Sequence, residues 1–152
     1  MTHIQLTEHF KAPIDRVFEL GIDFKRYPEW NAFFSEIKEV KGLPDKVGTK
    51  VFGTMKFLGR PIDGVTEIVE IDKPRLIKFV GTSPQGGSIK SFYKLTPVGT
   101  GTDLTIEFEY ELPSQFYTIF EKPFVEKTVE RELRHTLENF KAFLEVKLPV
   151  LV

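Results

Sequence analysis

Turn-forming clusters recur through the middle of the chain, and the segments between them are too short for anything but strands. Gly42-Leu43-Pro44-Asp45, Leu58-Gly59-Arg60-Pro61, Asp72-Lys73-Pro74, Ser83-Pro84-Gln85-Gly86-Gly87 and Pro97-Val98-Gly99-Thr100-Gly101 each combine glycine or proline with small polar residues. They separate six runs, at about Ser35–Lys41, Thr49–Phe57, Ile62–Ile71, Leu76–Thr82, Ser88–Thr96 and Thr102–Leu112. Short connections between consecutive strands predict an antiparallel meander. The last run alternates cleanly: Leu104, Ile106, Phe108, Tyr110 and Leu112 face one way, Thr105, Glu107, Glu109 and Glu111 the other. One face of the sheet is therefore wet and the other covered.

The flanking segments supply a further strand and the cover. His3 to Phe10 alternates, with Ile4 and Leu6 on one face and Gln5, Thr7 and His9 on the other. Ala12-Pro13 opens a helix, with Asp15 in its first turn. A second short helical stretch covers Asp23 to Trp30, limited by Pro28. A long amphipathic helix is predicted over Glu126 to Val146. Its apolar residues Val129, Leu133, Leu137, Phe140 and Leu144 cluster within roughly 40° of one line at 100° per residue. Glu130 and Arg134 form an i,i+4 pair on its outer side.

Composition narrows the function classes. A chain of 152 residues fits one domain, read here as residues 1–152. With 21 basic and 22 acidic residues, the near-neutral charge argues against a nucleic-acid partner. The absence of cysteine rules out disulfides, thiol catalysis and cysteine-ligated metals. No apolar run approaches the roughly 20 residues that span a bilayer, and Met1 to Gln5 carry no signal-peptide pattern, so a cytoplasmic protein is expected. Phenylalanine is abundant, with 15 residues, and it either fills core or lines an apolar cavity.

The order strand, two short helices, six strands, long helix resembles the START-like superfamily (SRPBCC, helix-grip), in its polyketide cyclase/dehydrase-like branch. The matching segments are Phe10 to Phe18, Asp23-Phe24 through Tyr27-Pro28-Glu29-Trp30, Gly48-Thr49, Asp72 to Leu76 and Gly99 to Leu104. The resemblance implies an α+β helix-grip fold, a seven-stranded antiparallel sheet wrapped around the C-terminal helix. It also implies a cavity between them that takes a hydrophobic small molecule or lipid. No cofactor is expected.

Motifs that suggest chemistry resolve into ordinary structure. Gly99-Thr100-Gly101 lacks the third glycine and following helix of a dinucleotide fingerprint and reads as a hairpin turn. Glu132-Leu133-Arg134-His135 has Glu-x-x-His spacing, but a carboxylate-bridged metal site needs two copies and further glutamates. With one copy it reads as a solvated pair, and no metal is expected. His3 and His9 point outward, so no Ser-His-Asp arrangement forms and no catalytic residue is assigned. Glu107, Glu109 and Glu111 lie on the wet face opposite Lys90 and Lys94. Glu8 falls on the covered face by strict alternation. It is a candidate polar anchor for a ligand, unless a bulge near Phe10 turns it outward.

The candidate ligand site is the set of covered-face and flanking apolar residues. From the strands come Met55, Phe57, Phe79, Ile89, Ser91, Tyr93, Phe108 and Tyr110. Trp30 and Phe34 come from the helix-to-strand connection, and Leu133 and Leu137 from the long helix. Phe116, Phe120 and Phe124 precede that helix at i,i+4 spacing, with Pro123 interrupting. Together with the Leu58-Gly59-Arg60 turn, whose glycine lets it reorient, they are the expected mouth. Three functions are compatible: a carrier or sensor for a hydrophobic molecule, a polyketide cyclase/dehydratase-type enzyme using Tyr93, Tyr110 or Glu8 as acid or base, and a ligand-free interaction module.

Overall fold

A computed structural model describes residues 2–147. The elements run β1 (Thr2–Phe10), α1 (Ile14–Gly21), a 3-10 turn (Phe24–Arg26), α2 (Tyr27–Trp30), β2 (Phe34–Lys41), β3 (Lys50–Phe57), β4 (Arg60–Asp72) and β5 (Leu76–Thr82). They continue with β6 (Ser88–Val98), β7 (Gly101–Glu111), α3 (Ser114–Ile119), α4 (Lys122–Ala142) and a π-helical turn (Phe143–Lys147). All seven strands form one antiparallel sheet in the order β1-β7-β6-β5-β4-β3-β2. The meander is therefore closed on one side by β1, which returns from the start of the chain to pair with β7 over its whole length.

The α+β helix-grip fold follows from two apolar faces that need each other. The predicted stripe of α4 is buried at Val129, Leu133, Leu137, Phe140 and Leu144. It meets the inner sheet face, where Ile68, Ile77, Phe79, Leu104, Ile106 and Phe108 are buried. Phe140 fastens the helix at its C-terminal half, with its ring 5.2 Å from Phe10 on β1 and 4.6 Å from Trp30 on α2. Side chains on the outer face pair across strands: Thr7 with Thr105 at 2.8 Å, His9 with Asp103 at 2.7 Å and Lys94 with Glu107 at 3.4 Å. On the outer side of α4, Glu130 and Arg134 approach to 3.7 Å.

The structure departs from expectation around Pro123. This proline does not interrupt a helix but stands in the first turn of α4, where a missing N–H leaves no bond unmade. The break lies earlier, at Phe120 and Glu121, whose backbones are extended (φ −119°, ψ 139° and φ −66°, ψ 142°). Phe116, Phe120 and Phe124 therefore do not form one stripe. Among the described residues no helix is long and apolar enough to cross a membrane.

Candidate functional site

The inner face of the sheet has an uneven floor. One row across the strands reads Ile68, Phe79, Ser91, Phe108, Ile4, each opposite the next. A small serine thus sits between two phenylalanines. In the neighbouring row Gly81 lies between Thr66 and Ile89, and beyond it Gly53 faces Gly64. Small residues step diagonally across four strands, and α4 does not fill the hollow above them. At Gly53 and Gly64 nothing larger fits: a Cβ would lie 2.5 Å from the Glu36 carbonyl oxygen and 2.7 Å from that of Thr82. The bulged strand β2 crowds Gly53 in this way.

Above that floor lies a cavity of about 60 Å³. One water needs about 10–15 Å³ by the same measure, so this is room for a small ligand fragment. Its sheet wall is Phe79, Ser91, Tyr93, Ile106 and Phe108. Leu133 and Thr136 of α4 form the roof, and Phe24, Tyr27, Asn31, Phe33 and Phe34 close one side. A second hollow of about 40 Å³ lies over the glycine floor and reaches the Ser83–Gly87 turn and Pro113. Phe34, Met55, Thr66, Gly81 and Ile89 line both spaces. The unbranched Met55 is the side chain among them best able to move and join the two. A third void of about 10 Å³ lies between Trp30, Leu137, Phe140 and Tyr93.

The expected site residues divide accordingly. Phe34, Met55, Phe79, Ile89, Ser91, Tyr93, Phe108 and Leu133 meet at the main cavity. Phe57 lines only the outer hollow, and Trp30 and Leu137 only the third void. Tyr110 and Phe116 are buried but line none of these spaces. Phe120 is half-buried and stacks on Phe124, whose side chain is 54% exposed. The two rings follow the chain break onto the surface, where the Arg60 guanidinium lies 5.8 Å from the Phe120 centroid. Glu8 keeps its inward register but lies away from the cavity, forming a 3.3 Å ion pair with Lys141 beside the helix end. Leu58 holds φ 51° and its side chain packs against the core.

Several groups were not singled out from the sequence. Asn31 and Thr136 are buried polar residues lining the main cavity. Each accepts a backbone N–H from the same connection: Asn31 Oδ1 from Phe33 at 3.0 Å, Thr136 Oγ1 from Ala32 at 2.9 Å. The cue was available, because threonine at position 136 stands one residue from Leu137 on the buried side of the helix. Tyr27 donates to the Gly21 carbonyl and is hydrogen-bonded to Tyr93. Burial pushes the Tyr93 phenol up to about 12, its hydrogen bond with Tyr27 opposing the rise. Burial raises Tyr27 as well, reinforced by the charges of Tyr93 and Asp23. Tyr110 is likewise pushed up to about 12 by burial. Both cavity phenols are therefore neutral across the physiological range.

Glu132 corrects the reading of a solvated Glu-x-x-His pair. His135 is exposed, but Glu132 is half-buried, and among the described residues its Oε2 is a buried oxygen with no hydrogen-bond partner. Burial raises its carboxyl above the usual carboxylate range, with Arg131 opposing. It stands one helical turn from Thr128 and Thr136, both buried, on the flank of the apolar stripe.

Known proteins place the architecture. A family profile described as "Polyketide cyclase / dehydrase and lipid transport" matches residues 1–145. No curated protein matches the sequence. Among solved structures, a START superfamily protein from Mycobacterium smegmatis is similar with a TM-score of 0.73 at 16% identity, over 94% of this chain and 97% of that one. A protein of Thermus thermophilus gives 0.73 at 18% identity, over 94% and 97%. The Zhui aromatase/cyclase from a Streptomyces species gives 0.67 at 17% identity, over 95% and 96%. At these identities the likeness is one of fold.

Proposed function

Because this chain belongs to the polyketide cyclase / dehydrase and lipid transport family, we propose that it is a binding protein that carries or senses a hydrophobic small molecule or lipid held between the sheet and α4. The observation that carries this reading is the unfilled cavity itself. A core of this size normally closes to crystal-like density. Here a diagonal of small residues leaves a hollow lined by Phe79, Phe108, Leu133 and Met55, with a few polar groups at one side. Mostly apolar walls with sparse polar anchors are the pattern of a small-molecule site.

The protein should bind an environment-sensitive apolar dye at one site, in the micromolar range or about −8 kcal/mol. Tyr93→Ala and Phe108→Ala should weaken that binding more than His135→Ala, which alters an exposed side chain. Equal effects from all three would remove the cavity from consideration. Native mass spectrometry of freshly purified protein adds a direct check, since a retained apolar molecule appears as added mass.

The enzyme alternative rests on the same family and on relatives such as the Zhui aromatase/cyclase. It is disfavoured by the acid–base groups at hand. A phenol held at about 12 lies several units from the neutral value that best serves general acid–base catalysis. Glu8, the carboxylate considered for that role, is engaged with Lys141 instead.

A further inference from the structure

The walls of the main cavity also say which hydrophobic molecules suit it; this step rests on the binding role proposed above. Among its lining residues there is no Asp, Glu, Lys, Arg or His. The polar groups at the Asn31 end are directional. Asn31 is 7% exposed and Thr136 2%. Each side-chain oxygen already accepts one backbone N–H, Asn31 Oδ1 from Phe33 and Thr136 Oγ1 from Ala32. The donors left over are the Asn31 Nδ2 hydrogens and the Thr136 hydroxyl proton, neither of which has an acceptor among the described residues. The Asn31 amide cannot be turned around, because its oxygen must meet the Phe33 N–H.

We infer that the cavity selects an uncharged, compact, largely apolar molecule that presents a carbonyl oxygen to Asn31 and Thr136, and that it rejects carboxylates of the same shape. A buried anion would find only neutral hydrogen-bond donors and no counter-charge, and desolvation of an unpaired carboxylate outweighs such bonds. A neutral carbonyl satisfies both donors without that cost. A purely hydrocarbon ligand leaves both buried donors unpaired, which is itself unfavourable. The preferred class is thus neutral ketones, quinones, esters or lactones on an apolar body, and not ionised fatty acids.

Three probes of nearly one shape separate the terms: 2-acetonaphthone, its alkene counterpart 2-isopropenylnaphthalene, and 2-naphthoate at pH 7.5. Binding can be followed through the single tryptophan, Trp30, whose ring lies 4.9 Å from that of the cavity residue Tyr27, and by calorimetry. The ketone should bind at least 30-fold more tightly than the carboxylate. Thr136→Val should shift the ketone-to-alkene preference at least fivefold toward the alkene, and Thr136→Ser, which keeps the hydroxyl, should restore it. A carboxylate that binds as well as the ketone overturns this inference and leaves the binding role intact. An unchanged ketone-to-alkene ratio in a folded Thr136→Val protein overturns the assignment of the donors. If neither the three probes nor an apolar dye binds, the binding role fails and this inference with it. The wild-type comparison of ketone with carboxylate needs no variant, so the charge discrimination is decided even if Thr136→Val does not fold.

Discussion

Ser91 lies opposite Phe79 on one side and Phe108 on the other, so its small side chain is one reason the cavity exists. Ser91→Val replaces a hydroxyl with two methyl groups at the floor of that space. An unfilled cavity costs about 24 cal/mol per Å³, so the full 60 Å³ corresponds to about 1.4 kcal/mol. Valine fills part of it and suits a strand better than serine. The variant should therefore be more stable than the wild type by about 1 kcal/mol, a rise in Tm of about 2–4 °C for a chain of this size. The same methyls occupy the ligand's place, so affinity for an apolar dye should fall at least tenfold. Thermal unfolding by circular dichroism and a dye titration on one preparation measure both. Gain of stability with loss of binding is the signature of a site that holds open space against packing. A lower Tm with unchanged dye binding would falsify the placement of Ser91 on an unfilled space. A higher Tm with unchanged binding would move the ligand elsewhere.

Other expectations follow from single residues. Phe140→Ala removes a buried ring that contacts Phe10 and Trp30 and should cost about 3–5 kcal/mol. Phe124→Ala, on a 54% exposed side chain, should stay within about 0.5 kcal/mol; similar losses in denaturant titrations would mean that α4 is not gripped through Phe140. Glu132→Gln should raise stability near neutral pH by about 0.5–1 kcal/mol, since a partly buried oxygen without a partner is costly when ionised. Because burial raises the Glu132 carboxyl in the fold, the charge penalty is absent at low pH and appears as pH rises through its folded value. The variant's advantage should accordingly vanish in acid, and an advantage constant from pH 3 to pH 7 would contradict the assignment. At high pH the phenols act with the same sign. With Tyr93 and Tyr110 at about 12 in the fold and about 10 unfolded, their contribution is complete below pH 10 and lost between about pH 10 and pH 12. Each accounts for about 2–3 kcal/mol, and Tyr93→Phe should flatten the alkaline limb of a stability profile measured by urea unfolding.

The architecture was legible in the chain because its signals are local. Turn clusters, the two-residue alternation of β7 and the 3.6-residue stripe of α4 each depend on neighbours a few positions away, and all recur in the structure with boundaries shifted by a few residues. Inner-face membership was legible for the same reason, and it brought Phe79, Ser91, Tyr93 and Phe108 to one place. Proline is where local reading slips: Pro123 looks like a break in the helix that it in fact begins, since proline lacks the N–H that a helix interior needs and its first turn does not. Which inner-face residues border space and which are sealed depended on register between strands far apart in sequence. Only the pairing of Phe79, Ser91 and Phe108 in one row, beside Gly81 and the facing Gly53 and Gly64, leaves the hollow, and no periodicity within a strand reports that alignment. The fates of Glu8, Glu132, Asn31 and Thr136 were decided the same way. Alternation or helical phase gives a side chain's direction, but whether Lys141, a backbone N–H or no polar partner among the described residues meets it depends on how the helix crosses the sheet. A cavity is made by what several elements together fail to fill, so it belongs to the tertiary structure even when every residue around it can be named beforehand.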